Sequence, residues 1–324
     1  MRAVCMSFIE LLKPLLPECF RKAYREFARI YSLLMSENFQ FLRCAPPGHF
    51  SSPIPDIKEV RSNSEFIFDR SMREIPGVDI NEDRQLSLAK EFISFYGEIP
   101  FPNQQRNGIR YYFDNDYYSY GDGVCLYSLM RLIKPKRIVE VGSGFSSAAM
   151  LDISDICFGG EIEFTFIEPY PSRLASLLSN EDMKRCRLLE QPVQQVPIGI
   201  FHRLYENDIL FIDSSHVAKT HSDVLHILFT VLPSLRAGVL IHFHDILWPF
   251  EYPRMWLEGG RAWNEAYFVR AFLQYNKAFE ILYFNSFMET YHRKFLNDNM
   301  PLMLKTPSFE ATQTNSSLWI RKTL

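Results

Sequence analysis

Glycine, acidic and histidine side chains recur in this chain at points where short apolar runs end. The segment VEVGSGFSS, residues 139–147, closes one such run and opens a helical pattern. Gly142 and Gly144 would let the backbone approach a ligand closely, and a helix N-terminus offers free N–H groups to an anion. The segment therefore predicts a site for a nucleotide-like cofactor. The alternative is an ordinary turn between a strand and a helix.

An acid follows the next apolar run, in FIEPYP at residues 166–171. An acid at the end of a second strand can accept hydrogen bonds from ribose hydroxyls, so Glu168 is a candidate ribose ligand. It could instead cap the helix that begins at Ser172. A dinucleotide would favour a third glycine at position 147, where this chain has serine. That serine favours a cofactor with a carboxylate instead of a pyrophosphate.

Two later runs end in acids and histidines, DSSH at residues 213–216 and HFHD at residues 242–245. Asp213, His244 and Asp245 are candidate ligands of a divalent cation, since two carboxylates and an imidazole suit such an ion. His216 is a candidate general base, because an imidazole titrates near pH ~6.5, and Asp213 is its candidate catalytic partner. The alternative is that no metal binds and that these histidines are structural.

Aromatic and polar residues follow this second site, in the region where a substrate lid would lie. Rings there could stack on a sugar or an aromatic ring while polar groups bind its hydroxyls. Ordinary packing is the alternative. The predicted substrate residues are Trp248, Tyr252, Arg254, Trp263 and Asn264.

The elements that must position these side chains form an α/β pattern. Apolar runs that end near residues 141, 167, 190, 212 and 243 alternate with helical stretches, and two more strands are predicted at 279–284 and 317–321. Continuous apolar strands separated by helices indicate a parallel sheet covered on both faces. Ligands of such sheets bind beyond the carboxyl ends of the strands, where all these candidates fall.

The chain divides into three predicted parts. Residues 1–45 form a helical extension, with apolar positions at 8, 11, 12, 15 and 16 and a second helical segment from about Arg21 to Leu34. Residues 46–80 begin with a proline-rich stretch that predicts an extended linker, and residues 81–324 form the α/β domain. The extension could cover the main domain, a membrane surface or the partner of a homodimer.

Composition argues against a nucleic-acid-binding protein and a membrane-spanning protein. The formal net charge is 35 − 38 = −3, so the chain has no excess of positive charge that would indicate nucleic-acid binding. No stretch is apolar and long enough to span a membrane. The six cysteines are scattered without a CxxC pair. This usage fits a reducing compartment, and the expected location is cytoplasmic.

Four segments in order, VEVGSGFSS, IEPYP, DILFIDSSHV and GVLIHFHDI, resemble the class I S-adenosylmethionine-dependent methyltransferases. The resemblance implies a Rossmann-like doubly wound sheet, mostly parallel with an antiparallel last strand, beside the helical extension. It implies ribose on Glu168, adenine near Gln191 and Val193, and a contact from Asp213. It also implies that the methionine end of the cofactor lies at Glu140, Gly142, Ser143, Gly144 and Phe145.

The second site is similar in layout to metal-dependent, catechol-type O-methyltransferases. His216 stands in the position of their lysine base, and His244 with Asp245 stands in the position of their acid–amide pair. A histidine ligand would shift the preference from Mg²⁺ toward Mn²⁺, Fe²⁺ or Zn²⁺. The predicted activity is methyl transfer from S-adenosylmethionine to a hydroxyl of a sugar or small metabolite. The alternatives are an NAD-dependent oxidoreductase and a non-catalytic binding protein of the same fold.

Overall fold

The computed structural model describes residues 18–308 and 315–324. The chain forms two compact units, with the boundary between Asn63 and Ser64. The described part of the first unit contains three helices, Glu18–Leu34 (α1), Phe39–Cys44 (α2) and Ile57–Ser62 (α3). Helix α1 includes the helix predicted from about Arg21. The apolar positions 8–16 lie outside the described residues.

The predicted linker over residues 46–80 is not extended throughout. Helix α3 falls inside it, and so does the first helix of the second unit, Ser64–Ile67 (α4). The reason is local. Asp56 caps α3 by accepting a hydrogen bond from the backbone N–H of Lys58 at 2.8 Å, which satisfies an N–H that a helix start leaves free.

The second unit is built on one sheet of seven strands in the order β3-β2-β1-β4-β5-β7-β6. The first five strands in this order pair in parallel, and β7 runs antiparallel to both β5 and β6. The predicted fold class is therefore confirmed. The strands are Arg137–Val141 (β1), Glu163–Ile167 (β2), Arg187–Leu189 (β3), Ile209–Ile212 (β4), Leu240–Phe243 (β5), Phe279–Phe284 (β6) and Leu318–Lys322 (β7).

Helices connect and cover these strands. They are Glu82–Tyr96 (α5), Tyr120–Ile133 (α6), Phe145–Phe158 (α7), Ser172–Leu177 (α8), Asn180–Arg185 (α9), Asp223–His226 (α10), Leu232–Ser234 (α11), Arg254–Glu258 (α12), Glu265–Leu273 (α13) and Asn285–Asn299 (α14). A π-helical turn, Ile227–Val231, joins α10 to α11, and 3₁₀ turns lie at Val193–Gln195, Ile198–Arg203 and Pro301–Leu304. No described helix is both long and apolar enough to cross a bilayer.

Central strands are buried along their whole length, as their apolar sequences predict. All four residues of β4 and all four of β5 are buried. A strand covered on both faces by helices has no solvent side, which is why ILFI and LIHF show no alternation.

The sheet register brings the ends of three strands together. Val141 of β1 pairs with Ile212 of β4, which pairs in turn with Phe243 of β5. The residues that follow, Gly142, Asp213 and His244, therefore leave the sheet side by side at its carboxyl edge. Segments far apart in the sequence meet there because parallel strands end at the same edge.

Candidate functional site

The loop after β1 approaches the loop after β4 closely at Gly142. This residue has φ +83°, and a Cβ added to it would lie 1.7 Å from the carbonyl oxygen of Asp213. Only glycine fits there, because a side chain would meet both backbone strain and a backbone atom. The loop then enters α7 at Phe145, so its free N–H groups border the space above the sheet edge.

Glu140 lies beneath this loop and is fully buried. Its carboxylate accepts a hydrogen bond from Ser146 Oγ at 2.6 Å and another from Ser147 Oγ. Burial raises its pKa to about 8, against the lowering effect of these hydroxyls. Both of its oxygens therefore hold the first turn of α7. This differs from the predicted contact with the methionine end of the cofactor, since Glu140 does not line the cavity described below.

Glu168 connects the ends of β2 and β1. Its Oε2 accepts a hydrogen bond from the backbone N–H of Ser143 at 3.0 Å, and its Oε1 accepts one from Tyr170 N at 2.8 Å. A carboxylate oxygen can accept more than one hydrogen bond, so both retain lone pairs for a ligand. Glu168 thus fixes the glycine loop as well as lining the space beside it.

Two imidazoles and two carboxylates meet after β4 and β5. His216 Nε2 lies 3.4 Å from Asp213 Oδ1 and 3.6 Å from Asp245 Oδ2. His244 Nδ1 lies 3.3 Å from Asp213 Oδ1 and 3.6 Å from Asp245 Oδ1. The structure therefore brings together all four residues that the two sequence segments predicted for the second site.

Glu265 orients the ring of His216. His216 Nδ1 makes a 2.9 Å hydrogen bond with Glu265 Oε2, and both side chains are almost fully buried. The backbone carbonyl of His216 also accepts hydrogen bonds from the N–H groups of Asn264 and Glu265. The backbone of His216 has φ +59°, and its ring presents Nε2 to the carboxylates. The start of α13 therefore sets the direction of the candidate base.

The pKa of His216 differs from the value of ~6.5 that is ordinary for an imidazole. Burial acts to lower its pKa, but hydrogen bonds with Asp213 and Glu265 and the charge of Asp245 outweigh burial and raise the pKa to about 10. Burial acts to raise the pKa of Asp213, but the two imidazoles outweigh it and lower the pKa below its usual range. At neutral pH the cluster holds an imidazolium beside carboxylates.

His244 and His242 share a strand face but differ in surroundings. His244 Nε2 lies 3.1 Å from Ser316 Oγ and 3.8 Å from Asp122 Oδ2. His242 makes a 2.9 Å hydrogen bond with Ser317 and stacks on Phe211 with ring centroids 3.7 Å apart. Burial lowers the pKa of His242, so it is a neutral core residue. The carboxylates around His244 outweigh burial and raise its pKa.

Both groups of residues border one cavity of about 420 Å³ at the carboxyl edge of the sheet. A second cavity of about 310 Å³ continues from it, sharing Gly142, Glu168 and Asp213 as lining residues. The second cavity is walled by Ile167, Tyr170, Pro192, Val193 and Gln194. Gln191, predicted beside adenine, does not line either cavity, whereas Val193 does.

A family model described as a methyltransferase domain matches residues 139–246. This range contains the glycine loop, Glu168 and the whole acid–histidine cluster. An uncharacterized protein of Archaeoglobus fulgidus is 37% identical over 170 residues, which cover 51% of this chain and 75% of that protein. The domain model and the sheet topology agree. The chain contains a methyltransferase domain.

Solved structures with some likeness to this methyltransferase include an S-adenosylhomocysteine-bound methyltransferase from Podospora anserina. It is 18% identical and covers 85% of this chain and 100% of its own, with a TM-score of 0.37. The O-methyltransferase TomG from Streptomyces achromogenes is 12% identical and covers 82% and 96%, with a TM-score of 0.40.

The predicted substrate residues of this methyltransferase separate in space. Trp263 lines the first cavity. Trp248 and Tyr252 are buried in the core, where Trp248 packs on Phe284 and Phe287. They therefore do not form the predicted wall. An apolar run of rings predicts burial and a binding surface equally well, so only packing distinguishes the two.

The two polar members of that prediction also lie elsewhere. Arg254 is about half exposed and pairs with Glu258 within α12. Asn264 accepts a hydrogen bond from the N–H of Ala218 at 2.6 Å and donates one to its carbonyl at 3.2 Å. Asn264 thus secures the loop that carries His216, and neither residue lines the cavity.

Sequence reasoning missed several lining residues of the methyltransferase. Arg173, Trp256 and Arg261 line the first cavity, and Gln194 lines the second. Gln194 Oε1 is buried without a hydrogen-bond partner among the described residues, while its amide nitrogen donates to the carbonyl of His221. Position along the chain was the available signal, because Arg173 comes shortly after β2 and Arg261 lies two residues before Trp263.

Proposed function

We propose that this protein transfers a methyl group from S-adenosylmethionine to a hydroxyl of a small molecule, such as a sugar or another metabolite. The observation that supports it is the shared cavity. The glycine loop and Glu168 border one side, and the cluster of Asp213, His216 and Asp245 borders the other. A cofactor held on the first side would present its reactive group toward acid–base residues on the second.

The residues present fit such a cofactor. Gly142 and Gly144 border the cavity without side chains, and Ser143 Oγ is buried without a hydrogen-bond partner among the described residues. Gln194 Oε1 supplies an unpaired acceptor in the second cavity, suited to an amino group on a flat base. We infer that the glycine loop faces the methionine end, that Glu168 binds the ribose and that Val193 and Gln194 border the adenine.

S-adenosylmethionine, when bound, supplies a methyl group already activated on a sulfonium. The protein must then hold a hydroxyl in line with that group, a placement that can lower the barrier by several kcal/mol. Deprotonation of the hydroxyl also needs a proton acceptor. We assign the hydroxyl to the side of the cavity where His216 Nε2 and Asp213 Oδ1 lie 3.4 Å apart. Its proton passes to His216 Nε2 in the molecules whose imidazole is neutral, a fraction that grows as the pH rises toward the His216 pKa of about 10.

A divalent cation remains a prediction. The described residues include no group of three or more His, Cys, Asp or Glu side chains placed so that they could hold a metal ion. His244 Nδ1 nevertheless is buried 3.3 Å from Asp213 Oδ1 and makes no hydrogen bond within the part of the chain that the structure describes. The proton transfer proposed above uses side chains alone. Cofactor titrations repeated with added Mn²⁺ and Mg²⁺ test the metal separately.

Calorimetric titration of the chelator-treated protein tests the cofactor. We expect micromolar binding of S-adenosylmethionine and S-adenosylhomocysteine and no binding of NAD. Binding of NAD alone would contradict the proposal and favour an oxidoreductase. The absence of binding to all three would favour a non-catalytic member of the fold.

Replacement of Glu168 by glutamine tests the ribose contact. We expect S-adenosylhomocysteine to bind roughly 10-fold more weakly, because an amide accepts hydrogen bonds less strongly than a carboxylate. Glu163→Gln is the matched control, since Glu163 begins the same strand and is exposed. Equal affinities for the two variants would remove Glu168 from the site.

A further inference from the structure

Two arginines line the first cavity among the described residues, and they lie on different sides of it. Arg173 lies beside the glycine loop, where a Cβ on Gly144 would be 3.1 Å from its Cδ. Its guanidinium stacks on Tyr117 at 3.8 Å from the ring centroid. Arg261 belongs to the wall after β5, together with Trp256 and Trp263. Arg173 is thus on the side proposed for the cofactor, and Arg261 is on the side left for the acceptor.

Arg261 is held by rings instead of by carboxylates. Its guanidinium carbon lies 4.9 Å from the ring centroid of Trp256 and 5.2 Å from that of Trp263. The two indoles contact each other edge to face, with centroids 5.3 Å apart. The backbone N–H of Arg261 donates to the carbonyl of Trp256 at 3.0 Å. Stacking and this hydrogen bond fix the side chain before any ligand binds.

The N–H groups of the Arg261 guanidinium have no acceptor among the described residues. Over residues 18–308 and 315–324, no carboxylate lies within ion-pair distance of it and no side-chain hydrogen bond satisfies it. By contrast, Arg110, Arg137 and Arg185 each pair with at least one carboxylate. Stacking occupies the faces of a guanidinium and leaves its edge, a fork of donors that matches a carboxylate or a phosphate. Such an edge on a cavity wall is a recognition element for an oxyanion.

The rest of the cavity explains why a cation here would matter. Its lining includes the carboxylates of Asp116, Glu168, Asp213 and Asp245. These four carboxylates would repel an anionic group, and His216 and His244 already lie beside Asp213 at 3.4 and 3.3 Å. Arg261 is therefore the group on the acceptor side that would determine where an anion binds. Trp263, which tilts over His216 at 4.4 Å between centroids, would meanwhile offer a ring face beside the candidate base.

We propose that Arg261 selects the methyl acceptor by binding an oxyanion, a carboxylate or a phosphate, carried on a ring that packs against Trp263. The hydroxyl to be methylated lies on the same molecule, near His216. This inference rests on the proposed function, because it takes the glycine-loop side of the cavity to be filled by the cofactor. It assigns the acceptor class and adds a specificity-determining residue.

Small ring compounds test the oxyanion directly. Benzoate, phenyl phosphate and benzyl alcohol are titrated into the protein saturated with S-adenosylhomocysteine, and binding is followed by tryptophan fluorescence and by NMR. We expect either anion to bind roughly 10-fold or more tightly than the alcohol. The tighter anion identifies a carboxylate or a phosphate as the group recognised. Equal binding of all three would overturn the proposal.

Substitutions test whether Arg261 is the residue that binds the anion. Arg261→Gln is expected to weaken the preferred anion roughly 10- to 100-fold while leaving S-adenosylhomocysteine binding unchanged. Arg261→Lys keeps the charge without the fork and is expected to fall between. Arg236→Gln is the matched control, because Arg236 also stacks on a ring, that of Tyr205 at 4.2 Å, outside the cavity.

The outcomes separate the two proposals. If S-adenosylhomocysteine fails to bind the unmodified protein, the proposed function fails. If it binds but Arg261→Gln retains the anion affinity, only the acceptor assignment fails. The acceptor assignment also fails if Arg236→Gln weakens anion binding as much as Arg261→Gln does. The anion would then be attracted by the overall positive charge of the protein and not by Arg261. Retained cofactor binding in each variant shows that it has folded.

Discussion

At the scale of single residues, identity matters most where backbones approach each other. Gly142→Ala would place a methyl group 1.7 Å from the Asp213 carbonyl oxygen at a positive φ. We expect a loss of at least about 2 kcal/mol in the free energy of unfolding and a loss of cofactor affinity. Urea unfolding and calorimetry measure the two effects.

Gly199→Ala provides the comparison for that substitution. Gly199 lies in a 3₁₀ turn, and nothing lies within 4 Å of a Cβ added to it. We expect its free energy of unfolding to change by less than about 0.5 kcal/mol. If the two alanine variants were equally stable, the close approach of the loops after β1 and β4 would be contradicted.

At the scale of elements, Arg110 joins a loop to two helices. Its guanidinium lies 2.7 Å from Asp152 of α7 and 2.6 Å from Asp182 of α9, and both carboxylates are almost fully buried. Asp152 also accepts hydrogen bonds from the N–H groups of Arg110 and Tyr111. Arg110→Ala would leave the buried carboxylate of Asp152 without its counter-charge and would leave Asp182 paired with Arg185 alone, at 3.0 Å. We expect it to cost about 3 kcal/mol of stability in urea unfolding.

Arg293→Ala is the control at this scale. Arg293 is largely exposed and pairs with Glu289 one turn away on the same helix. An exposed pair of this kind contributes at most about 0.5 kcal/mol. A loss at Arg110 no larger than that at Arg293 would show that the buried pairs do not hold the loop.

The Arg110 cluster also predicts how stability depends on pH. Burial acts to raise the pKa of Asp182, but hydrogen bonds from Arg110 and Ser179 and the charge of Arg110 outweigh it and lower the pKa. A carboxyl whose pKa is lower in the folded state stabilises the protein above its unfolded pKa, and this stabilisation is lost as the pH falls. Burial dominates for Asp152 and raises its pKa, so the acid sensitivity of this cluster depends on Asp182 and on Asp155. Burial acts to raise the pKa of Asp155 as well, but the neighbouring arginines outweigh it and lower the pKa.

We therefore expect the unfolding free energy to fall as the pH drops below about 4, and to fall less steeply in Asp182→Asn. Urea unfolding between pH 3 and pH 7 measures both slopes. Parallel slopes would contradict the assignment to Asp182.

At the scale of the whole molecule, two tryptophans of the predicted lid play different parts. Trp248 is fully buried, and its Nε1 donates to the carbonyl of Met72 at 3.0 Å. Trp263 borders the cavity and is partly exposed. Trp248→Ala should cost about 3–5 kcal/mol of unfolding free energy, because it opens a hole in the core.

Trp263→Ala should cost less stability than Trp248→Ala but should weaken the binding of benzoate and phenyl phosphate to the protein saturated with S-adenosylhomocysteine. Urea unfolding and tryptophan fluorescence measure the two properties in both variants. A larger stability loss at Trp263 than at Trp248 would reverse the division between core and site.

The sequence alone determined the succession of strands and helices along the chain and the polar residues that follow the strands. The strands Arg137–Val141, Glu163–Ile167 and Phe279–Phe284 match their predicted bounds, because buried apolar runs and the turns that end them are local signals. Because parallel strands end at a common edge, the strand pattern is also enough to place Gly142, Glu168, Asp213 and His244 together.

Only the tertiary structure decided which residues face the ligand and in what state. Trp248 and Trp263 are the same residue type in one segment, and packing alone sends one to the core and the other to the cavity. The raised pKa of His216 depends on Asp213, three positions away, and also on Glu265 and Asp245, which lie 49 and 29 positions further along the chain. Contacts between distant segments carry no local pattern, so burial and charge pairing could be found only in the folded protein.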